Sequence, residues 1–107
     1  KDYKRALNDL DKVLEEEPIY VDALVFCAST KRQLNQTDSA AVDIGQALAK
    51  NEDHLEGLLE RGMLRRMLND ISSARSDWLK IIKLAPDSET ARFARENIQN
   101  MDGPKVK

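Results

Sequence analysis

The chain has 107 residues, 34% of them charged and 41% hydrophobic, with a formal net charge of −2. That is the size of one domain, and no apolar run approaches the roughly 18–20 residues of a membrane span. The single cysteine, Cys27, excludes an internal disulfide and a cysteine-based zinc knuckle, and the acidic balance gives nucleic acid no electrostatic support.

The first predicted element is a helix over 2–17. Ala6, Leu10, Val13 and Leu14 fall at i, i+4, i+7 and i+8, one face of an α-helix. Glu15, Glu16 and Glu17 close it; consecutive residues diverge around a helix, so they read as a solvated end rather than a cation site. Pro18 disfavours helical backbone just before it. A second amphipathic helix spans 20–34. Cys27 lies there among Leu24, Val25, Phe26 and Ala28, with no local cation to activate it, and reads as a small buried core residue.

Asn35 follows, the non-glycine type that best tolerates a left-handed helix exit. Thr37 is the expected N-cap of a third helix, 38–50, whose apolar face is Ala40, Ile44, Ala47 and Leu48. Before a fourth helix, 54–68, Asp53-His54-Leu55-Glu56 has the form of a capping box, with Asp53 accepting and Glu56 reaching back. His54, the only histidine, has no partner set for catalysis or metal binding and reads as a solvated turn residue. Asn69 ends that helix and Asp70 caps a fifth, 71–84, carrying Ala74, Trp78, Ile81 and Ile82. Pro86 ends the fifth, and a sixth, 88–101, is closed by Asp102-Gly103-Pro104. The short connections predict antiparallel neighbours.

One offset relates these elements. Ala6, Ala40 and Ala74 stand 34 residues apart, as do Leu10, Ile44 and Trp78, and Val13, Ala47 and Ile81. The same spacing joins Leu24 to Leu58, Ala28 to Gly62, Leu34 to Leu68 and Asn35 to Asn69. Several of these columns keep size class as well as polarity, which amphipathicity alone does not produce. By this alignment Trp78 is core, not a ligand platform.

A 34-residue helix–turn–helix unit carrying these residues resembles the tetratricopeptide repeat. The resemblance covers about residues 2–101. It implies an all-α fold, a right-handed α-solenoid of antiparallel helix pairs with six helices. The repeat domain would run over 1–102: a half repeat at 2–18, repeats at 21–54 and 55–88, a closing helix at 88–101, then a tail at 103–107. There are departures: Asn35 and Asn69 stand for the usual turn glycine, Glu52 for the usual proline, and Lys31 and Arg65 where tyrosine is frequent. Because the chain begins with Lys1 and lacks a signal-peptide pattern, it reads as a piece of something longer.

Such arrays are binding scaffolds, so the resemblance implies a protein-interaction module holding a peptide or helix in a concave groove. The stripe it assigns to that groove includes Val25, Phe26, Ser29 and Arg32 on one helix. The next contributes Glu56, Leu59, Glu60, Met63, Arg66 and Met67, and the closing helix Phe93 and Asn97. Met63 and Met67 suit an adaptable surface. One branch of the family binds chaperone C-terminal carboxylates through cations on this surface. Here those positions hold Glu56 and Glu60, which repel a carboxylate, so that partner class is not expected.

Charge is uneven: residues 55–107 carry ten Lys and Arg against eight Asp and Glu, residues 1–54 seven against eleven. Much of the basic group Arg61, Arg65, Arg66, Arg92 and Arg95 can be neutralised by Glu56, Glu60, Asp77 and Glu96. With no glycine-rich phosphate loop, no Ser-His-Asp order and no metal-ligand spacing, no enzyme activity and no cofactor are expected. The rival readings are self-association, with a homodimer through helix 2–17, or an accessory domain of a larger enzyme or cell-envelope protein. Compartment, cytoplasmic or bacterial periplasmic, has no signature in the residues.

Overall fold

The computed structural model of the chain describes residues 18–102. Helix 2–17, its dimer face, the half repeat 2–18 as a unit and the tail 103–107 lie outside the described residues.

The described residues are all-helical, with no strand. Five helices follow one another: α1 (Pro18–Gln33), α2 (Thr37–Lys50), α3 (Leu55–Met67), α4 (Ile71–Leu84) and α5 (Glu89–Asp102). Each packs on its neighbour in sequence; α1 also touches α3, and α3 touches α5. None is long and apolar enough to cross a membrane.

The core is one continuous cluster. Trp78, Leu58, Leu64, Ile44 and Ile81 are its largest fully buried side chains. Between them sit Ala28, Ala40, Ala47, Ala74, Ala91 and Ala94, all without solvent exposure. The alanines let helix axes close up, and the large residues fill what remains. Gly62 is the tightest point. A Cβ there would lie 2.6 Å from Trp78 Cε2 and 2.8 Å from its Cδ1, so only glycine fits beneath the indole. The indole Nε1 donates to the Leu59 carbonyl at 3.3 Å, which satisfies the one polar atom of the buried ring.

Structural roles recur at the 34-residue spacing. Asn35 and Asn69 both adopt left-handed backbone, at φ 66° and 67°. Around Asn35 the Gln36 amide donates to the Lys31 carbonyl at 2.8 Å and the Asn35 amide to the Arg32 carbonyl at 2.9 Å. Around Asn69 the Asp70 amide reaches Arg65 at 2.7 Å and the Asn69 amide reaches Arg66 at 2.9 Å. Both are Schellman exits, which use up carbonyls the helix end leaves unpaired.

A pair of carboxylates follows the same spacing. Lys31 Nζ lies 2.8 Å from Asp43 Oδ2, and Arg65 Nη1 lies 3.0 Å from Asp77 Oδ2. Each ties one helix to the next. Asp77 is buried and also takes two hydrogen bonds from Arg61, at 2.9 and 3.0 Å. The lysine ammonium faces Asp43 only as a point charge, and Asp43 Oδ2 receives no aligned hydrogen bond.

Two local expectations, at Thr37 and Cys27, are corrected, and one, at Asp70, holds in position only. Thr37 is the first residue of α2; Gln36 precedes it as the N-cap, without a side-chain bond. Asp70 does occupy the N-cap of α4, again without one. Cys27 is exposed, not core. The buried face of α1 is Val21, Val25 and Ala28, and Cys27 lies about 100° around the helix from either of its neighbours.

Candidate functional site

A cleft of about 470 Å³ opens between α1 and α3. Asp22, Val25, Phe26 and Ser29 line it from α1, and Glu56, Leu59 and Glu60 from α3. These residues sit one helical turn apart on each side, the i, i+3, i+4 spacing of a single face. Val25 is buried and Leu59 half-buried against the core, so they form a fixed apolar floor. Phe26 is 73% exposed.

The polar members of the lining are held by groups outside it. Glu60, largely buried, takes a fork of two hydrogen bonds from Arg32, at 2.7 and 3.2 Å. A planar guanidinium matches a carboxylate in this geometry, and the pair ties α1 to α3. Thr90 Oγ1 of α5 donates to Glu56 Oε2 at 3.2 Å. His54 reaches Asp22 Oδ1 from its Nε2 at 2.7 Å.

His54 therefore does more than fill a turn. Its Nδ1 accepts the Gly57 amide at 2.9 Å, making it the N-cap of α3. An amide N–H can only donate, so Nδ1 carries no proton; the ring proton sits on Nε2 and is donated to Asp22. The imidazole side chain is 12% exposed and joins α1 to the start of α3. The expected capping box is thus replaced. Asp53 instead faces Lys80 Nζ at 3.3 Å, and Lys80 also donates to the Glu52 carbonyl at 3.2 Å.

Of the twelve residues expected in the groove, Val25, Phe26, Ser29, Glu56, Leu59 and Glu60 come together in this cleft. Arg32 reaches it only through Glu60. Met63, Arg66, Met67, Phe93 and Asn97 do not line it. Met63 packs half-buried on the core, while Met67 and Phe93 are exposed apolar side chains. Phe93 carries the Arg92 guanidinium 4.7 Å above its ring, and Arg92 is bridged to Glu89 and Glu96 at 2.9 and 3.2 Å. Asp22 belongs to the groove stripe assigned to its helix from the sequence; what sequence reasoning missed is the bond that fixes it to His54. The signal was their separation of 32 residues, close to one repeat, which places the start of α1 beside the start of α3.

Among the described residues no group of three or more His, Cys, Asp or Glu side chains is arranged to hold a metal ion. The cleft offers an apolar floor, an exposed ring and oriented carboxylates. No family model, curated protein or solved structure matches the chain.

Proposed function

We propose that the chain is a protein-interaction module of the tetratricopeptide type, a right-handed α-solenoid that holds a peptide or helix against α1 and α3. The recurrence of left-handed Asn35 and Asn69 and of the Asp43 and Asp77 ion pairs at 34 residues supports the repeat reading. Contacts between alternate helices, α1 with α3 and α3 with α5, support a row of first helices that share one surface. The observation that carries the function is Phe26, 73% exposed at the mouth of a cleft whose floor is Val25 and Leu59. A few desolvated apolar anchors dominate most interfaces, and Phe26 is such an anchor without a partner of its own in the cleft.

The test places a photo-crosslinking residue at Phe26 and, separately, at Val42, an exposed position on α2 away from the cleft. Crosslinks to a partner from position 26 and none from 42 support the groove. Equal labelling from both sites overturns it. Phe26→Ser gives the matching loss of affinity, because an exposed side chain can be removed without opening the core.

A second reading rests on a separate feature. Ile19, Ala23, Phe26 and Cys27 fall at i, i+4, i+7 and i+8 on α1 and all are exposed. Such a stripe favours self-association, and sedimentation against concentration separates the two. A constant monomer mass of 12.1 kDa supports the groove, and a mass that rises through a dimer supports pairing along α1.

A further inference from the structure

Taking the groove reading as its basis, we propose that the occupant is a basic amphipathic segment, with a lysine or arginine seated over Phe26 and its charge between Asp22 and Glu56. The lining of the cleft contains three carboxylates, Asp22, Glu56 and Glu60, and no cation. Their charges are not equally cancelled. Glu60 is neutralised by the Arg32 fork. Glu56 is met by the Thr90 hydroxyl, which orients it and leaves its charge intact. Asp22 is met by the Nε2 of an imidazole whose Nδ1 accepts the Gly57 amide, a hydrogen bond that orients it, and by no lysine or arginine of the cleft lining. Two uncompensated carboxylates therefore flank an apolar floor, and both are well exposed, at 68% and 65% of their side-chain surface. Each keeps acceptor capacity beyond the one bond that fixes it.

Phe26 adds the third element. The face of an exposed aromatic ring attracts a cation, and an arginine or lysine stem covers apolar surface while its head stays wet. The molecule already makes this contact elsewhere: Arg92 lies 4.7 Å over Phe93 while its head is held by Glu89 and Glu96. The cleft presents the same set, one phenyl ring and two carboxylates, without the cation. An acidic segment, or a bare C-terminal carboxylate, would meet only repulsion at this rim.

The experiment is selection of a displayed random peptide library on the immobilised full chain, followed by anisotropy titration of the enriched peptides at low and high salt. Enriched sequences should carry Lys or Arg beside apolar anchors, and their binding should weaken as salt rises. The Asp22→Asn/Glu56→Gln double variant, checked by circular dichroism for unchanged helicity, should weaken them about tenfold or more. Phe26→Ser should abolish binding. Enrichment of neutral or acidic peptides that lose affinity in Phe26→Ser but not in the double variant overturns the basic occupant and leaves the groove. No enrichment, or binding indifferent to Phe26→Ser, overturns both.

Discussion

Single positions decide how closely these helices approach. Gly62 shows it most directly: a Cβ would collide with the Trp78 indole, displacing the ring and its bond to the Leu59 carbonyl. Gly62→Ala should destabilise by about 1–3 kcal/mol through overpacking. Gly45, inside α2, meets nothing within 4 Å of an added Cβ, so Gly45→Ala should stabilise by about 0.5–1 kcal/mol through helix propensity. Urea melts of the two variants check the opposite signs. The Gly62 constraint was legible in the sequence, because Ala28, the equivalent residue 34 positions before it, is also small. The burial of Cys27 was misread. Its neighbours are apolar, but Val25 and Ala28 face the core while Phe26, like Cys27, faces solvent, and only the packed structure shows which face of α1 is covered. An apolar neighbourhood along the chain is not a buried neighbourhood in space.

At the scale of the helix, the ends hold what the sequence shows least. The stretches that form helices were clear from their 3.6-residue period, and α4 runs over the expected 71–84. The cap chemistry was not. Asp53 outranks histidine as a cap type, yet His54 occupies the N-cap of α3, and Asp53 is drawn off by Lys80. One residue of register, set by tertiary contacts, decides such a case. Thirty-four residues later Ser88 performs the same task for α5, its Oγ accepting the Ala91 amide at 3.0 Å. His54→Ala and Ser88→Ala should each cost about 1 kcal/mol in a urea melt. His54→Asn should restore the cap of α3 without the reach to Asp22, so it should recover only part of the loss. The ion pairs between helices make a further prediction. Asp77 takes three hydrogen bonds from two arginines, whereas Asp43 has one lysine and an oxygen without an aligned donor. Lys31→Arg places a guanidinium where Arg65 donates its Nη1 to Asp77, offers Asp43 Oδ2 an aligned N–H, and should raise stability by about 0.5–1.5 kcal/mol. A drop in the urea midpoint would show that the longer side chain does not reach Asp43.

Across the described helices, each packs on the next, and further contacts join α1 to α3 and α3 to α5. The apolar part was readable in the columns of Ala40 and Ala74, Ile44 and Trp78, and Ala47 and Ile81, which are buried, but not in that of Leu34 and Leu68, which is exposed. The polar part was not: the groove stripe held both Arg32 and Glu60, but nothing in the residues showed the fork that bonds them to each other. Their side chains are only 18% and 11% exposed, so each depends on the other for its missing hydration. Arg32→Met should therefore leave Glu60 as a buried charge without its fork and cost about 2–4 kcal/mol. Glu60→Leu added to that variant should recover most of the loss, because an apolar pair needs no compensation between packed helices. Denaturant midpoints for the two single variants and the double complete the cycle, and hydrogen exchange locates the effect. Amides of α1 should exchange faster in Arg32→Met and return toward the original rate in the double variant. Additive costs would mean that the fork does not join α1 to α3. A recovered double variant would also separate the structural carboxylate from the two proposed to meet the occupant, since Asp22 and Glu56 would remain at the rim with their charges unchanged.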